Sequence, residues 1–144
     1  VHILTKLYLK EMIKKDSGRI LNVASTAAFL PGPLMSTYYS TKSYVYELTT
    51  AIFEELRRIK SNVKVSVLCP GPVNTNFNNV AGVNFAIKGL SSDYVTSYAL
   101  DKMFKNKLVI IPGFINKLAK IACKFASLRL LLKVDYNIQR KKEK

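Results

Sequence analysis

Hydrophobic and polar positions along the chain predict helices and strands in turn. Residues 1–16 place apolar side chains at helical spacing and stop at "SGR". Two short apolar runs, "RILNVAS" (19–25) and "NVKVSVLCPG" (62–71), are typical of buried strands. Between them, residues 36–60 return to a helical period. The first half of the chain is therefore predicted to be helix, strand, helix, strand.

The second half continues this alternation. Residues 71–90 are predicted to be a loop, after which Ser91 or Ser92 caps a helix that extends to about Lys105. A third strand is predicted at "KLVIIPG", residues 107–113. The whole succession predicts a doubly wound α/β fold of the Rossmann type, in which a parallel sheet carries helices on both faces and the crossovers are right-handed.

The carboxyl-terminal residues have a different pattern. "FINKLAKIACKFASLRLLLKV" predicts one basic amphipathic helix, and the polar end "QRKKEK" is expected to fray. We therefore divide the chain into an α/β part, residues 1–112, and a basic segment, residues 113–144. The helix either packs its apolar face on the body or on another subunit, which we favour, or lies on an anionic membrane surface as a peripheral contact.

The charge of the chain narrows the choice of partners. The formal net charge is +14, and residues 113–144 carry +7 of it. No nucleic-acid recognition motif accompanies this charge, so we predict no nucleic-acid partner. The longest apolar region, 108–134, is interrupted by lysines and an arginine, so we predict no membrane-spanning helix. We expect a cytoplasmic protein, with the basic helix as the candidate membrane contact. Cys69 and Cys123 belong to no metal-ligand pattern, so we predict no metal site and interpret both as small buried hydrophobes.

The stretch "NVASTAAFLPGPLMSTYYSTK" contains the candidate chemistry. Tyr38 and Lys42 are four residues apart, which places them one turn apart on the same face of a helix. A nearby ammonium group favours the phenolate form of a tyrosine. Ser25, thirteen residues before Tyr38, closes a predicted strand, where its hydroxyl could hold a reacting oxygen.

Spacing alone does not identify this pair, because Tyr98 and Lys102 have the same separation. The residue thirteen positions before Tyr98 is Phe85, in the predicted loop. Tyr39 is excluded for another reason, because the residue four positions after it is Ser43. The context therefore favours Tyr38.

In these motifs the sequence resembles the short-chain dehydrogenase/reductase family. The resemblance rests on "NVAS" (22–25), "YYSTK" (38–42) and "PGPVNT" (70–75), which occur in the order and spacing of that family, and it covers residues 1 to about 112. It implies an oxidoreductase that interconverts a carbonyl and an alcohol, with NAD or NADP as cofactor and a small-molecule substrate. The alternative is a non-enzyme: either a truncated gene product that binds no cofactor, or a peripheral membrane-binding module that keeps the fold.

The resemblance also implies roles for individual residues. Tyr38 would be the general acid/base, Lys42 would favour its deprotonation and bind the nicotinamide ribose, and Ser25 would orient the substrate oxygen. The cofactor-binding residues would be Tyr38, Lys42, Pro70, Gly71, Val73 and Thr75. Asn22 is interpreted as structural.

Residues 76–90 fall where the family has its substrate lid. Their apolar side chains suggest a lipophilic ketone or alcohol as substrate, although packing explains Phe77 and Phe85 equally well. The apolar residues of this loop are Phe77, Val80, Val83, Phe85 and Ile87.

The glycine-rich turn of dinucleotide-binding folds is the main departure from the family pattern. All 6 glycines are isolated, without a G-x-G pair. The resemblance therefore predicts that the chain is the carboxyl half of a longer enzyme, a homo-oligomer when full length. Alone, it should expose a sheet edge, and we expect it neither to bind nucleotide tightly nor to turn over.

Overall fold

The computed structural model describes residues 1–76 and 89–140, in which helices and short strands alternate. The helices are α1 (His2–Lys14), a 3-10 helix (Thr26–Phe29), α2 (Ser36–Arg58), α3 (Ser92–Phe104), α4 (Phe114–Phe125) and α5 (Leu128–Arg140); the strands are β1 (Arg19–Val23), β2 (Lys64–Leu68), β3 (Val73–Asn74), β4 (Leu90–Ser91) and β5 (Val109–Ile110). The three predicted strands and the first three predicted helices are confirmed.

The main sheet is parallel and has the order β1-β2-β5. Its register places Arg19 opposite Lys64 and Val67 opposite Val109. The predicted parallel α/β class is therefore confirmed. Within residues 1–76 and 89–140, β1 and β5 each pair on one side only, as expected for a sheet with an exposed edge.

Helices cover both faces of the sheet because successive side chains of a strand point to opposite sides. On one face, Val67 packs with Val45 of α2. On the other, Leu68 packs with Val95 of α3. Val67 is fully buried and Leu68 is nearly so, and burying one such side chain contributes roughly 1.5–3 kcal/mol. The doubly wound arrangement is thus confirmed.

Hydrogen bonds of the Asn22 side chain connect β1 to the helices α1 and α2. Its side-chain oxygen accepts a hydrogen bond of 3.2 Å from Thr5 of α1, and its amide donates one of 2.9 Å to Thr49 of α2. Thr49 in turn donates to the carbonyl of Val45 at 2.7 Å. All three side chains are buried, and a buried amide needs such partners. This network supports the structural interpretation of Asn22.

The predicted loop at residues 71–90 contains a feature that the sequence analysis missed. Its two ends pair as the parallel strands β3 and β4, with Val73 opposite Leu90 and Asn74 opposite Ser91. The apolar residues on which the lid prediction rested lie outside the described residues; they are Phe77, Val80, Val83, Phe85 and Ile87.

The carboxyl-terminal segment differs from its prediction in three ways. It forms two helices, α4 and α5, instead of one, with a break at Ala126 and Ser127. The expected fraying is wrong for Gln139, which lies in α5 and is buried; residues 141–144 lie outside the described residues. The favoured packing of the apolar face on the body is wrong for α4, whose large apolar side chains are exposed. No helix in the described ranges is long and apolar enough to span a bilayer.

Candidate active site

The carboxyl ends of β1 and β2 meet at one edge of the sheet. The backbone N–H of Ala24 donates to the carbonyl of Leu68 at 2.8 Å, and that of Thr26 donates to Pro70 at 2.9 Å. Ser25 therefore lies beside Pro70. In open parallel sheets, ligands bind at this carboxyl edge.

The hydroxyl of Ser25 has two defined contacts there. It donates a weak hydrogen bond of 3.3 Å to the carbonyl of Pro70, and it accepts one of 3.1 Å from the backbone N–H of Ala27. The second contact caps the 3-10 helix, because Ser25 is its N-cap residue with extended backbone. The cap fixes the side-chain oxygen, while the long bond to Pro70 can be exchanged for a better acceptor.

The first turns of α2 bring Tyr38 and Lys42 to the same edge. The Lys42 Nζ lies 5.7 Å from the centre of the Tyr38 ring and donates to the carbonyl of Val23, the last residue of β1, at 3.4 Å. The two side chains therefore lie next to each other on the same face of α2, as their four-residue spacing predicts. Since Lys42 is half-buried, desolvation lowers its pKa below the ordinary value of a lysine.

Cys69 lies below Ser25 in the interior of the protein, directly after β2. It is fully buried, and the backbone N–H of Ser25 donates to its sulfur. Burial raises the pKa of the Cys69 thiol to about 12, although the charges of Lys120 and Lys42 act in the opposite direction. A thiol in this environment is not a nucleophile at neutral pH, so Cys69 is a packing residue, as predicted.

The remaining predicted residues follow β2. Gly71 lies against the Asn116 side chain of α4, where a Cβ atom would be 2.5 Å from the amide oxygen. Val73 is in β3, and Thr75 is exposed just beyond it. The structure thus gathers Ser25, Lys42 and Pro70 at the ends of two strands, holds Tyr38 beside Lys42, and places the other three along the chain that leaves β2.

The second tyrosine–lysine pair has a different environment. Tyr98 and Lys102 lie on α3, against the opposite face of the sheet, with the Lys102 Nζ 5.2 Å from the centre of the Tyr98 ring. Lys102 forms an ion pair of 2.8 Å with Asp101. Its pKa is raised, mainly by the hydrogen bond to that carboxylate. This lysine is therefore neutralised by an acid, whereas Lys42 contacts a backbone carbonyl.

The sequence analysis missed a buried polar cluster next to Tyr38. The Asp135 carboxylate of α5 accepts a hydrogen bond of 3.0 Å from the backbone N–H of Gly32 and one of 3.4 Å from the Tyr39 hydroxyl. Gln139 donates to both Asp135 and Tyr39. Burial and the negative charge of Asp135 raise the pKa of Tyr39 above its ordinary value.

This cluster attaches α5 to the turn that leads into α2. Gly32 has a φ of +65°, and a Cβ atom there would overlap the Tyr39 ring, so both the conformation and the contact need glycine. One signal was available in the sequence: Asp135 is the single acidic residue in the apolar stretch "LRLLLKVDYNI", four positions before Gln139.

The sequence of this chain is similar to those of known short-chain dehydrogenases and reductases. The family model for short chain dehydrogenase matches residues 1–83. Dehydrogenase/reductase SDR family member 4 of Bos taurus is 38% identical over 78 residues, which are 54% of this chain and 27% of that protein. Ketoacyl reductase HetN of Nostoc is 35% identical over 106 residues, which are 72% of this chain and 36% of that protein. The chain thus matches well under half the length of either relative.

Solved structures show the same fold. A short-chain dehydrogenase from Sphingobium yanoikuyae in complex with NADPH has a TM-score of 0.66 at 22% identity, over 82% of this chain and 49% of that one. A short-chain dehydrogenase/reductase from Burkholderia phymatum in complex with NAD has a TM-score of 0.70 at 19% identity, over 81% and 50%. With a family match over more than half of its residues, this chain belongs to the short-chain dehydrogenase family.

Proposed function

We propose that the full-length protein carrying this chain is an NAD(P)-dependent oxidoreductase that interconverts a carbonyl and an alcohol. The observation that carries the proposal is the position of the Lys42 ammonium group. It is half-buried at the carboxyl edge of the sheet, next to the Tyr38 ring and bonded to the end of β1, beside Ser25. A cation in this position favours the phenolate form of a neighbouring tyrosine, as a proton-transfer catalyst requires.

The residues present fit a nicotinamide nucleotide. An ammonium group has three N–H donors, and the carbonyl of Val23 takes one, so Lys42 can also donate to ribose hydroxyls. Pro70, Gly71, Val73 and Thr75 would hold the nicotinamide side, with the exposed Thr75 hydroxyl as a partner for the carboxamide. When bound, the cofactor supplies the hydride chemistry.

NAD and NADP are equally compatible with these positions. They share the nicotinamide and its ribose, the parts that Tyr38, Lys42 and Thr75 would contact. The two similar structures, one in complex with NADPH and the other with NAD, agree with this range.

Proton transfer would take place between Tyr38 and the substrate oxygen. In the reducing direction Tyr38 donates its proton to the carbonyl oxygen, and in the oxidising direction its phenolate accepts the proton of the alcohol. Ser25 would donate a hydrogen bond to the same oxygen in place of its long bond to Pro70. The substrate class is a small, lipophilic ketone or secondary alcohol.

Replacing Tyr38 by Phe in the full-length enzyme tests the proposal, because the change keeps the ring and removes the proton. We expect kcat for ketone reduction to fall about 100-fold to 10,000-fold. Tyr98→Phe is the matched control, because it removes a hydroxyl from the other tyrosine–lysine pair, and it should leave kcat within about twofold. Equal rates for Tyr38→Phe and the unchanged enzyme would favour the cofactor-free alternative.

We also propose that the full-length enzyme is a homo-oligomer through α1 and α2. Four apolar side chains of α1 are 59–74% exposed: Ile3, Leu4, Leu7 and Tyr8. His2 contacts Tyr44 of α2, so the two helices form one surface. Light scattering of an Ile3→Gln/Leu7→Gln variant should show a smaller particle than the unchanged enzyme; the same size would contradict this interface.

A further inference from the structure

Helix α4 directs its apolar side away from the protein. Five large side chains lie on one face of this helix, 49–82% exposed, and we call them the outer stripe: Phe114, Ile115, Leu118, Ile121 and Phe125. Their separations of one, three and four residues place them on one side of a helix. An amphipathic helix that packs on its own domain would turn this side inwards, so the orientation of α4 needs an explanation.

Polar contacts on the opposite side of α4 fix this orientation. Asn116 donates to the carbonyl of Pro112 at 2.7 Å and lies against Gly71. The Lys120 Nζ lies 4.9 Å from the centre of the Phe29 ring, and the Lys117 Nζ lies 5.4 Å from that of Tyr98. Cation–π contacts of this kind hold a lysine over an aromatic face. The lysine side of α4 therefore faces the body, and the outer stripe faces outwards.

Helix α5 extends the same kind of surface. Leu130, Val134 and Ile138 follow one another at four-residue spacing and are 47–52% exposed. Arg129, Lys133 and Arg140 form a basic line on another side of α5. Because the buried Asp135 cluster attaches this helix to the body, its apolar and basic sides keep fixed directions.

A groove next to the outer stripe widens the apolar surface. It has a volume of about 780 Å³ and lies between the segment after Ser25 and the two carboxyl-terminal helices. Ile121 and Phe125 belong to both the stripe and the wall of the groove. Leu30 and Leu128 also line it, together with charged side chains that include Glu47. The apolar area that a partner could cover is therefore larger than the stripe alone.

Charge distinguishes between the candidate partners for this surface. Residues 113–144 carry +7, so two copies meeting through this face would bring two strongly positive segments together. An anionic lipid surface instead attracts each lysine and arginine near it, and it accepts exposed apolar side chains at the boundary of headgroups and acyl chains. On α4, Lys124 lies to the side of the outer stripe, from where its ammonium group can reach lipid phosphates.

We propose that α4 and α5 bind an anionic lipid bilayer as a peripheral surface, with the outer stripe inserted at the headgroup boundary. The body of the protein would lie on the side of α4 that contacts Phe29 and Tyr98. This proposal does not depend on the proposed oxidoreductase activity, because none of the side chains that would contact the membrane belongs to the candidate active site.

Vesicle flotation of the full chain tests the proposal. We expect binding to vesicles of phosphatidylcholine with phosphatidylserine and much weaker binding to phosphatidylcholine alone, with the difference reduced at high salt. Leu118→Gln/Phe125→Gln removes apolar area from the stripe without changing the charge, and it should lower the partition coefficient at least about tenfold. Lys124→Gln should lower it roughly fivefold on anionic vesicles and leave neutral vesicles unaffected.

The matched control is Ile59→Gln/Leu100→Gln, which removes exposed apolar side chains from other surfaces and should leave partitioning unchanged. All four replaced apolar residues are at least 42% exposed, so circular dichroism should show the same helix content for both double variants. Partitioning that is equal for the unchanged chain and the stripe variant overturns the proposal. The proposal is also overturned if the stripe variant still partitions to vesicles like the unchanged chain but forms a smaller particle in light scattering. The outer stripe would then be a contact between copies of the chain.

Discussion

The chain contains two tyrosine–lysine pairs with the same spacing, one on each side of the sheet. In both, the lysine nitrogen lies within 6 Å of the centre of the tyrosine ring. The surroundings differ: Lys42 contacts the carbonyl at the end of β1, whereas Lys102 pairs with Asp101 on the surface of α3. Burial lowers the pKa of Lys42, and the carboxylate raises that of Lys102. The four-residue spacing therefore fixes the geometry of each pair, whereas the surrounding fold determines whether the lysine is paired with an acid.

The largest expected effect comes from removing each lysine in turn. In the full-length protein, Lys42→Met should lower the proposed kcat about 100-fold or more, because the change removes the cation that lies next to the Tyr38 ring. Lys102→Met should change kcat less than about twofold, because only a surface ion pair is lost. Steady-state kinetics of the two variants checks this, and similar losses for both would contradict the distinction between the pairs.

Ser25 and Ser91 provide a second matched comparison, because both are helix N-caps. Ser25 accepts from Ala27 and Ser91 accepts from Tyr94. Replacing either by Ala should lower the free energy of unfolding by about 1 kcal/mol. Only Ser25→Ala should also lower kcat, roughly 100-fold, if its hydroxyl contacts the reacting oxygen. Normal activity in Ser25→Ala would show that the hydroxyl at position 25 has only the capping role. An equal loss of activity in Ser91→Ala would mean that loss of a cap is enough to lower kcat.

Asp135 extends the comparison to Tyr39, the neighbour of the proposed catalytic residue. Asp135→Ala leaves the Gly32 N–H and the Tyr39 hydroxyl without their buried acceptor, which should lower the free energy of unfolding by roughly 1–3 kcal/mol. Asp101→Ala removes an exposed carboxylate of the other pair and should cost less. Urea unfolding of both variants measures the difference, and an equal cost would mean that the Asp135 cluster does not stabilise the fold.

The smallest effect is a difference in pH dependence between the two lysines. Because the pKa of Lys42 is lowered in the fold, there is a range below the unfolded value of 10.5 in which the unfolded chain holds a proton that the folded chain has released. The stability of the unchanged chain relative to Lys42→Met should therefore rise as the pH approaches that value. The pKa of Lys102 is raised, so its contribution is complete below 10.5 and declines as the pH rises through the higher folded value.

Chemical unfolding at about pH 8 and about pH 10 separates the two lysines. The stability of the unchanged chain relative to Lys42→Met should rise between these two pH values, whereas its stability relative to Lys102→Met should stay the same, because both values lie below 10.5. A stability difference for Lys42→Met that stays constant over this range would show that Lys42 is not desolvated in the fold.

The main sheet and its helices could be predicted from the sequence, because each element has a hydrophobic pattern within its own residues. The valine-rich run before Pro70 predicts a buried strand, and the Tyr38 helix has a clear period. The position of Ser25 at a strand end, which favours Tyr38 over Tyr98, is also visible in the order of the motifs, and the choice of Tyr38 stays a prediction that Tyr38→Phe tests.

Other features could not be predicted because they depend on contacts between distant residues. The Asp135 carboxylate finds its partners 96 and 103 positions earlier in the chain. The orientation of α4 is set by contacts of its lysines with the aromatic rings of Tyr98, Tyr46 and Phe29. Its amphipathic pattern alone therefore predicted that the apolar side packs on the body, which is wrong. The pairing of β3 with β4 joins strands of two residues each, which are too short to give a periodic signal.

The pairing of β3 with β4 has a consequence for protein engineering. The register fixes Val73 opposite Leu90 and Asn74 opposite Ser91, and Gly89 permits the close approach of the two backbones. The stretch from residue 75 to residue 89 is therefore inserted between two anchored points that already face each other. Exchange of that stretch between relatives, as a cassette with the same two anchors, should therefore leave the three-stranded sheet and its register intact.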